Sequence, residues 1–165
     1  MARLGSVARD KLAGFLSGTA GISHEIAALS ADTGISLQPI EPEQIVGQNV
    51  AIETAERSGK VKYPMIHVYT DRMENRLREK FKSFSGTIRV VAEVRVSHEH
   101  LTNLERDLQI YLEALTSVLA RTRGDWGSGL YFSGAYEIHI SGVKSGGRNF
   151  VQVAKVICDI DASVQ

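Results

Sequence analysis

Apolar residues recur along the first part of the chain three and four residues apart, the spacing of one face of a helix. This pattern predicts an amphipathic helix over residues 3–17, which Gly18 ends. It also predicts a second short helix from Ser23, which closes at Gly34. We therefore interpret residues 1–37 as an N-terminal helical annex.

The helical spacing lapses in residues 38–60, which we interpret as a linker and the region of a first strand. Pro39, Pro42 and Gly47 fall close together there, as is typical of loops. The annex is too short to bury much apolar surface by itself. We therefore expect one domain overall, with its α+β core in residues 61–165.

Further along the chain the spacing changes to alternation, which indicates strands. Residues 63–70 are rich in β-forming side chains, and residues 87–96 form the clearest strand. One face of this strand carries Ile88, Val90, Ala92, Val94 and Val96. The other face carries Thr87, Arg89, Glu93 and Arg95. We expect the first face to be dry and the second to be wet or in an interface.

A long amphipathic helix is predicted after this strand, with Ser97 as its N-cap. Its apolar stripe runs from Leu101 to Leu119. Gly124 stops it after Arg123, because glycine readily takes the backbone conformation that ends a helix. The helix is long enough to pack across one whole face of a small sheet.

Two more strand patterns, residues 136–141 and 150–161, flank a glycine-rich turn and predict a β-hairpin. The order of elements is then helices, loop, strands, long helix and hairpin. This order predicts an α+β fold, in which a small, mostly antiparallel sheet is packed by one long helix and carries the N-terminal helical annex.

Charge and composition exclude several classes of protein. Lysine plus arginine and aspartate plus glutamate each total 19, so the net charge gives no electrostatic case for a dedicated nucleic-acid binder or a polybasic membrane protein. Hydrophobic residues make up 43%, enough to fill a core. Cys158 has no second cysteine to pair with, and we expect it to be a small buried hydrophobe. We see no signal peptide or membrane-spanning run and expect a cytoplasmic protein.

The sequence lacks the motifs that indicate catalysis. The glycines of residues 124–129 do not make a dinucleotide-binding element, and residues 142–147 lack the ending of a phosphate loop, in which glycine and lysine are followed by serine or threonine. No nucleophile elbow and no HExxH element is present. We therefore expect no catalytic residue, no cofactor and no enzymatic activity.

Two pairs of polar residues are candidates for a metal site or a catalytic pair. His98 and His100 lie where a helix is predicted to begin, and side chains two residues apart on a helix point apart. We interpret them as a solvated helix start and not as a metal site. Asp159 and Asp161 share one side of a strand. We interpret them as an exposed strand face and not as a catalytic pair.

Residues 71–84, which we call the arm, form a charged excursion between two strands. As a helix, the arm would place Met73, Leu77 and Phe81 in line and would be a solvated connection. As an extended segment, it would contact a neighbouring subunit or nucleic acid. In that conformation one face carries Arg76, Arg78, Lys80 and Lys82. Charge alone does not separate these alternatives.

The order of elements over residues 61–161 resembles that of the tail terminator and tail-completion proteins of tailed bacteriophages, small α/β proteins of the neck region. The features that carry the resemblance are a strand with Pro64, the charged arm, the strong strand 88–96 and the long helix. A closing hairpin with Gly142, Gly146 and Gly147 at its turn completes them.

The resemblance implies a structural virion protein that is assembled in the host cytoplasm. Such proteins form a ring, usually a hexamer, on the last ring of tail-tube subunits, where they end tube growth. The implied partners are further copies of the chain, the tail tube protein, the neck connector and, in contractile tails, the sheath protein. DNA would pass through the lumen without base-specific contacts. No membrane is implied.

In this role we expect three interface regions: the arm, the loop 124–133 and the hairpin turn 143–150. Trp126 is either a packing anchor or an interface hot spot. Lys144 and Arg148 either face a lumen or rim, or lie on a solvated hairpin tip. The candidate interface residues are Arg72, Arg76, Arg78, Lys80, Phe81, Trp126, Lys144 and Arg148.

Three other functions stay open at this point. A head-closure or adaptor protein of the same neck would have a similar sequence pattern. A nucleic-acid-binding module with a ferredoxin-like sheet would carry aromatic residues on its open face, where we expect Arg89, Glu93 and Arg95. A small enzyme would use Asp159 and Asp161 or the histidine pair, but no motif supports it.

Overall fold

One curled, mostly antiparallel sheet with its three longer helices on one side forms the fold, so the predicted α+β class is confirmed. The computed structural model describes residues 3–59, 61–146 and 148–165. The helices are α1 (Arg3–Ser17), α2 (Ile22–Thr33), α3 (Ile52–Arg57) and α4 (Leu101–Arg121), with a 3-10 turn at Pro42–Gln44. The strands are β1 (Ile45–Val46), β2 (Met65–Asn75), β3 (Phe84–His98), β4 (Gly124–Gly127), β5 (Leu130–Ile140), β6 (Lys144–Gly146) and β7 (Asn149–Val164).

The strands lie in the order β1-β2-β3-β7-β5-β4, and β6 also pairs with β7. Among the strands that the structure describes, only the short β1 runs parallel to its neighbour. The central pair is β3 with β7, which stay in register from Phe84 opposite Val164 to His98 opposite Phe150. This long pair explains why β3 extends past both ends of the predicted strand: every residue on it finds a partner in β7.

The main core lies between the sheet and α1, α2 and α4, on what we call the helix side of the sheet. The apolar face predicted for residues 87–96 is confirmed, since Ile88, Val90, Ala92, Val94 and Val96 are all buried there. The apolar stripe of α4 packs on them. The predicted N-cap of this helix is wrong. Ser97 pairs with Val151 in the sheet, so the chain leaves β3 later and His100 takes the cap position.

The two N-terminal helices are confirmed, with α1 as predicted and α2 ending at Gly34. Gly34 has a φ of 70°, a left-handed conformation that glycine adopts without strain. Leu12 and Leu16 of α1 and Ile22 of α2 are buried in the same apolar cluster as the sheet residues. α1 packs on β2 and α2 on α4, so the annex helps to cover the sheet.

The strand β4 and the first part of β5 were not predicted, since the sequence analysis placed a loop at residues 124–133. The glycine content of this segment is typical of a turn, and Gly124, Gly127 and Gly129 have the positive φ values that glycine adopts easily, 120°, 77° and 75°. β4 exists because Gly124 pairs with Phe132 of β5. Pairing between strands therefore decided what local composition could not.

The second face of the sheet is only partly wet. Glu93 and Arg95 were expected on a polar, solvent-facing or interfacial surface, but they are 6% and 2% exposed. Residues 47–57, which include α3, lie over this part of the sheet, and the Arg95 guanidinium donates to the carbonyl of Val50. Arg89, farther along β3, stays on the partly exposed part of the face.

Candidate functional site

The arm is extended in its first part, and none of its residues is helical. Its first part, to Asn75, continues β2 and pairs with β3, after a bulge between Thr70 and Arg72. Residues 76–83, which we call the arm tip, then loop back to Phe84. The predicted helix is therefore wrong, and the predicted extended conformation holds only as far as Asn75, because the arm tip is a loop with turns.

The base of the arm tip is held by one side chain. The Oδ1 atom of Asn75 accepts from the N–H of Leu77 at 3.2 Å and from that of Ser85 at 3.1 Å, while its Nδ2 donates to the carbonyl of Ser83 at 3.2 Å. Gly86 sits opposite, where a Cβ would lie 1.9 Å from the carbonyl oxygen of Glu74. The two ends of the tip are therefore fixed close together.

Two apolar side chains on the arm tip project into solvent. Phe81 is 98% exposed and Leu77 is 63% exposed. Their φ values are 65° and 46°, in the left-handed region that bulky residues rarely occupy. Such strain concentrates at functional positions, because folding alone does not select for it. The arm tip thus presents apolar surface that its own chain does not cover.

The basic residues of the arm lie among carboxylates. Arg72 and Arg76 contact Glu74 at 3.7 and 2.8 Å, and Arg78 contacts Asp161 of β7 at 3.6 Å. Lys80 is exposed. These are surface ion pairs, each of which contributes little to stability. The arm therefore carries charges of both signs.

Asp159 and Asp161 are both engaged by arginines on the partly exposed face. The Arg89 guanidinium donates to both oxygens of Asp159, at 2.8 and 2.9 Å. These bonds hold the pKa of the Asp159 carboxyl below its usual value, because they stabilise the charged form. Both carboxylates thus form ion pairs on the surface, which agrees with their interpretation as part of an exposed strand face.

A buried polar cluster lies beneath residues 47–57. Glu93 accepts from the Arg95 guanidinium at 2.8 Å and from the Tyr69 hydroxyl at 3.0 Å. The Lys155 ammonium lies 3.8 Å away. Burial, together with the neighbouring Glu93 charge, raises the pKa of Tyr69. With its hydrogen bonds satisfied, the cluster is a structural support for the segment above it.

His67 lies in the same row of the sheet as Glu93 and is 3% exposed. Its Nδ1 is 3.0 Å from the carbonyl oxygen of Gln48, so the proton resides on this nitrogen. Its Nε2 has no hydrogen-bond partner among the described residues. Burial lowers the pKa of this imidazole. His67 is therefore a neutral residue beneath the overlying loop.

The outer edge of β5 is open over most of its length. β4 pairs with this strand only from Leu130 to Phe132, and a bulge separates that part from Tyr136. Beyond the bulge three apolar residues lie on the helix side of the sheet yet are exposed. They are Tyr136 (45%), Ile138 (37%) and Ile140 (46%). We call residues 136–140 the β5 edge.

Trp126 is buried within its own chain and is 4% exposed. Its ring packs at 5.2 Å from that of Phe15 and at 5.4 Å from that of Phe132, and its Nε1 donates to the carbonyl of Thr122. Of the two alternatives for Trp126, the structure has the packing anchor. It joins α1 to the end of the sheet.

The hairpin turn presents Lys144 and Arg148, and both are exposed. The Lys144 ammonium lies 3.6 Å from the carboxylate of Glu53 on α3. Gly147, one of the turn glycines, lies outside the described residues. The hairpin therefore contacts the segment that covers the buried polar cluster and leaves Arg148 on the surface.

The structure brings together few groups that could support chemistry. His98 ends β3 and does not begin a helix as expected, and the N–H of His100 donates to its Nδ1 at 2.9 Å. In the described ranges, no group of three or more His, Cys, Asp or Glu side chains is placed to hold a metal ion. Cys158 is buried, as predicted, and burial raises the pKa of its thiol to about 12.

No described helix has both the length and the apolar character needed to cross a bilayer. No protein-family model matches the chain, and no curated protein matches its sequence. Its function is therefore inferred from the surfaces described above, chiefly the arm tip and the β5 edge. Sequence analysis identified the arm but missed the β5 edge, whose signal was the three apolar residues at alternate positions.

Proposed function

We propose that this chain is a structural assembly protein of a phage tail. In this role it forms a ring, about six copies around, at the head-proximal end of the tail tube, where it ends tube polymerisation and joins the tail to the neck connector. Its partners are its own copies, the tail tube protein and the connector, with the sheath protein added in a contractile tail. The chain acts in the virion by binding, without catalysis.

The observation that carries this proposal is the arm tip. Phe81 is almost fully exposed, and the strained backbone at Phe81 and Leu77 directs apolar surface away from the body of the protein. An exposed aromatic side chain on a projecting loop loses its contact with water only when another protein chain covers it. The arm is therefore suited to reach a neighbouring subunit.

The arrangement favours a ring over a chain of random contacts. The arm leaves the sheet at the end where β2 turns into β3, and it carries arginines and carboxylates in neighbouring positions. A contact between the arm of one copy and a different surface of the next is heterologous, and heterologous contacts close into rings when the rotation permits. Mixed charge around Phe81 would fix the register of such a contact.

The same surfaces favour assembly over nucleic-acid recognition. Arg72, Arg76, Arg78 and Arg89 each have a carboxylate partner in their own chain. A phosphate backbone would have to compete with these partners, and the net charge of the chain is zero. DNA that passes through the lumen of a ring needs no such contacts.

Light scattering across a concentration series, with negative-stain images of the same samples, tests the ring. We expect closed rings of about six subunits for the wild-type chain. Phe81→Ser removes the exposed aromatic side chain of the arm tip and should shift the mass distribution from rings to monomers and small oligomers. Leu101→Ser is the matched control, because Leu101 is also an exposed apolar residue (51%) but lies at the start of α4.

Failure to observe rings at any concentration would contradict self-assembly of the free chain. The second measurement then decides the proposal: purified chain is added to polymerising tail-tube protein of the same phage. Tubes that stop growing and carry a ring at one end would support the tail role. Tubes of unchanged length with bare ends would overturn it.

A further inference from the structure

The β5 edge has backbone groups that no strand in the described part of the chain uses. The Ser141 N–H donates to the carbonyl of Val153 at 2.9 Å, and the register places Ile140 opposite Ala154. In an antiparallel pair, hydrogen-bonded and non-hydrogen-bonded positions alternate. Glu137 and His139 therefore bond inward to β7, while the N–H and C=O groups of Tyr136, Ile138 and Ile140 point outward.

The side chains on the two faces of this edge differ. Tyr136, Ile138 and Ile140 form an apolar strip on the helix side. Glu137 and His139 lie on the opposite face, where the carboxylate and the imidazole are 2.6 Å apart. An exposed strand edge with an apolar side is a template for pairing with another strand. It contains neither proline nor lysine, two of the residues by which proteins commonly block such edges.

We propose that two copies of the chain pair antiparallel through the β5 edge, around a two-fold axis that passes through Ile138. In this register Ile138 lies opposite itself, and Tyr136 lies opposite Ile140 of the second copy. All of these are outward-bonding positions, so each opposed pair exchanges two backbone hydrogen bonds. The apolar strips of the two copies form one continuous surface.

Charge selects this register. With the axis at Ile138, Glu137 lies opposite His139 of the second copy, and the pair occurs twice by symmetry. Moving the axis by one residue keeps the outward-bonding positions paired with each other. It then opposes Glu137 to itself in one direction or His139 to itself in the other, and like groups directly opposite are unfavourable. The sequence of the edge is thus self-complementary in this register and in neither of the two next to it.

The other edge of the sheet is a poorer partner for β5. β1 already pairs with Ile66 and His67 of β2. Farther along β2, α1 packs against the strand, and the Thr70 hydroxyl donates to the carbonyl of Gly5 at 2.7 Å. A second copy of the β5 edge is therefore the partner that this surface fits.

This contact goes beyond the proposed ring and does not depend on it. A two-fold contact uses the same surface on both copies and closes on itself, whereas a ring needs two different surfaces. The arm tip and the β5 edge lie in different parts of the sheet. Substitutions in one can therefore be tested without removing the other.

Sedimentation velocity of the full chain tests the dimer, with the Phe81→Ser variant measured alongside so that contacts of the arm do not obscure it. In the Phe81→Ser background we expect dimers, and adding His139→Glu should raise their dissociation constant about tenfold or more, because it opposes two carboxylates twice. The double variant E137H/H139E exchanges the two groups and should restore the dimer to within about threefold of wild type.

His24→Glu makes the same substitution at an exposed position of α2 and should leave the dissociation constant unchanged. Ile138→Arg places a charge on the axis and should give monomers, and circular dichroism of each variant confirms that it folds. A chain that is monomeric at every concentration would overturn the proposal. So would a dimer that His139→Glu does not weaken, or one that the double variant fails to restore.

Discussion

The two parts of β5 have the same alternation of side chains but opposite surroundings. Before the bulge, Leu130 and Phe132 are 1% and 0% exposed, with β4 on their outer side. After it, Tyr136, Ile138 and Ile140 lie on the same side of the sheet and are exposed. Alternation therefore identifies a strand and its faces, but the helices and the neighbouring strand decide which part of a face is core.

The largest expected effect comes from removing the aromatic ring in the buried part. Phe132→Ala leaves a cavity beside Trp126 and should lower the free energy of unfolding by about 3–5 kcal/mol. Ile138→Ala in the exposed part should cost less than about 1 kcal/mol when the chain is dilute and monomeric. Urea unfolding of the two variants measures both values. Equal losses would mean that the two parts of β5 are not differently buried.

A second contrast lies on the other face, between its covered and open parts. Glu93→Ala leaves the Arg95 guanidinium buried without its carboxylate and should cost about 3 kcal/mol. Asp159→Ala breaks the pair with Arg89, whose members are 29% and 48% exposed, and should cost less than about 1 kcal/mol. The same urea titrations apply. A small loss for Glu93→Ala would show that water reaches Arg95.

The smallest expected effect is a pH dependence from the covered part. Because burial lowers the pKa of His67, the unfolded chain binds a proton near the ordinary value of 6.5 while the folded chain does not. The free energy of unfolding is therefore highest above that pH, and part of it is lost as the pH falls from 6.5 to the lowered pKa. Stability should therefore decline as the pH falls below 6.5.

The control for this pH dependence is a pair of histidine variants. His67→Gln keeps a donor for the Gln48 carbonyl but removes the titration, so it should flatten the decline. His24→Gln on the exposed side of α2 should leave it as in the wild type. Thermal unfolding at a series of pH values compares the three chains. An unchanged decline in His67→Gln would assign it to another group.

Periodicity in the sequence was sufficient for the elements that pack most regularly. The three- and four-residue spacing identified α1, α2 and the body of α4, since an apolar stripe must face a core. Alternation identified the buried face of β3. Gly34 marked a helix end because its left-handed conformation is one that glycine adopts without strain. These features are local, so the sequence by itself determined them.

What depends on distant parts of the chain was not determined in this way. Pairing with β7 kept Ser97 in a strand, and pairing with β5 made a strand of the glycine-rich residues of β4. Coverage by residues 47–57 buried Glu93 and Arg95 on a face that alternation marks as polar. The extended conformation of the first part of the arm, to Asn75, was likewise settled by its pairing with β3.

The two candidate surfaces differ in the same way, since one was recognisable from the sequence and the other was not. The arm was recognisable from its charges and from Phe81, because an excursion between strands shows in the sequence as a break in the apolar pattern. The β5 edge was not, since Tyr136, Ile138 and Ile140 have the pattern of any half-buried strand. Only the tertiary structure decided that no helix and no strand of the described residues covers them, because coverage is a property of the neighbours and not of the strand itself.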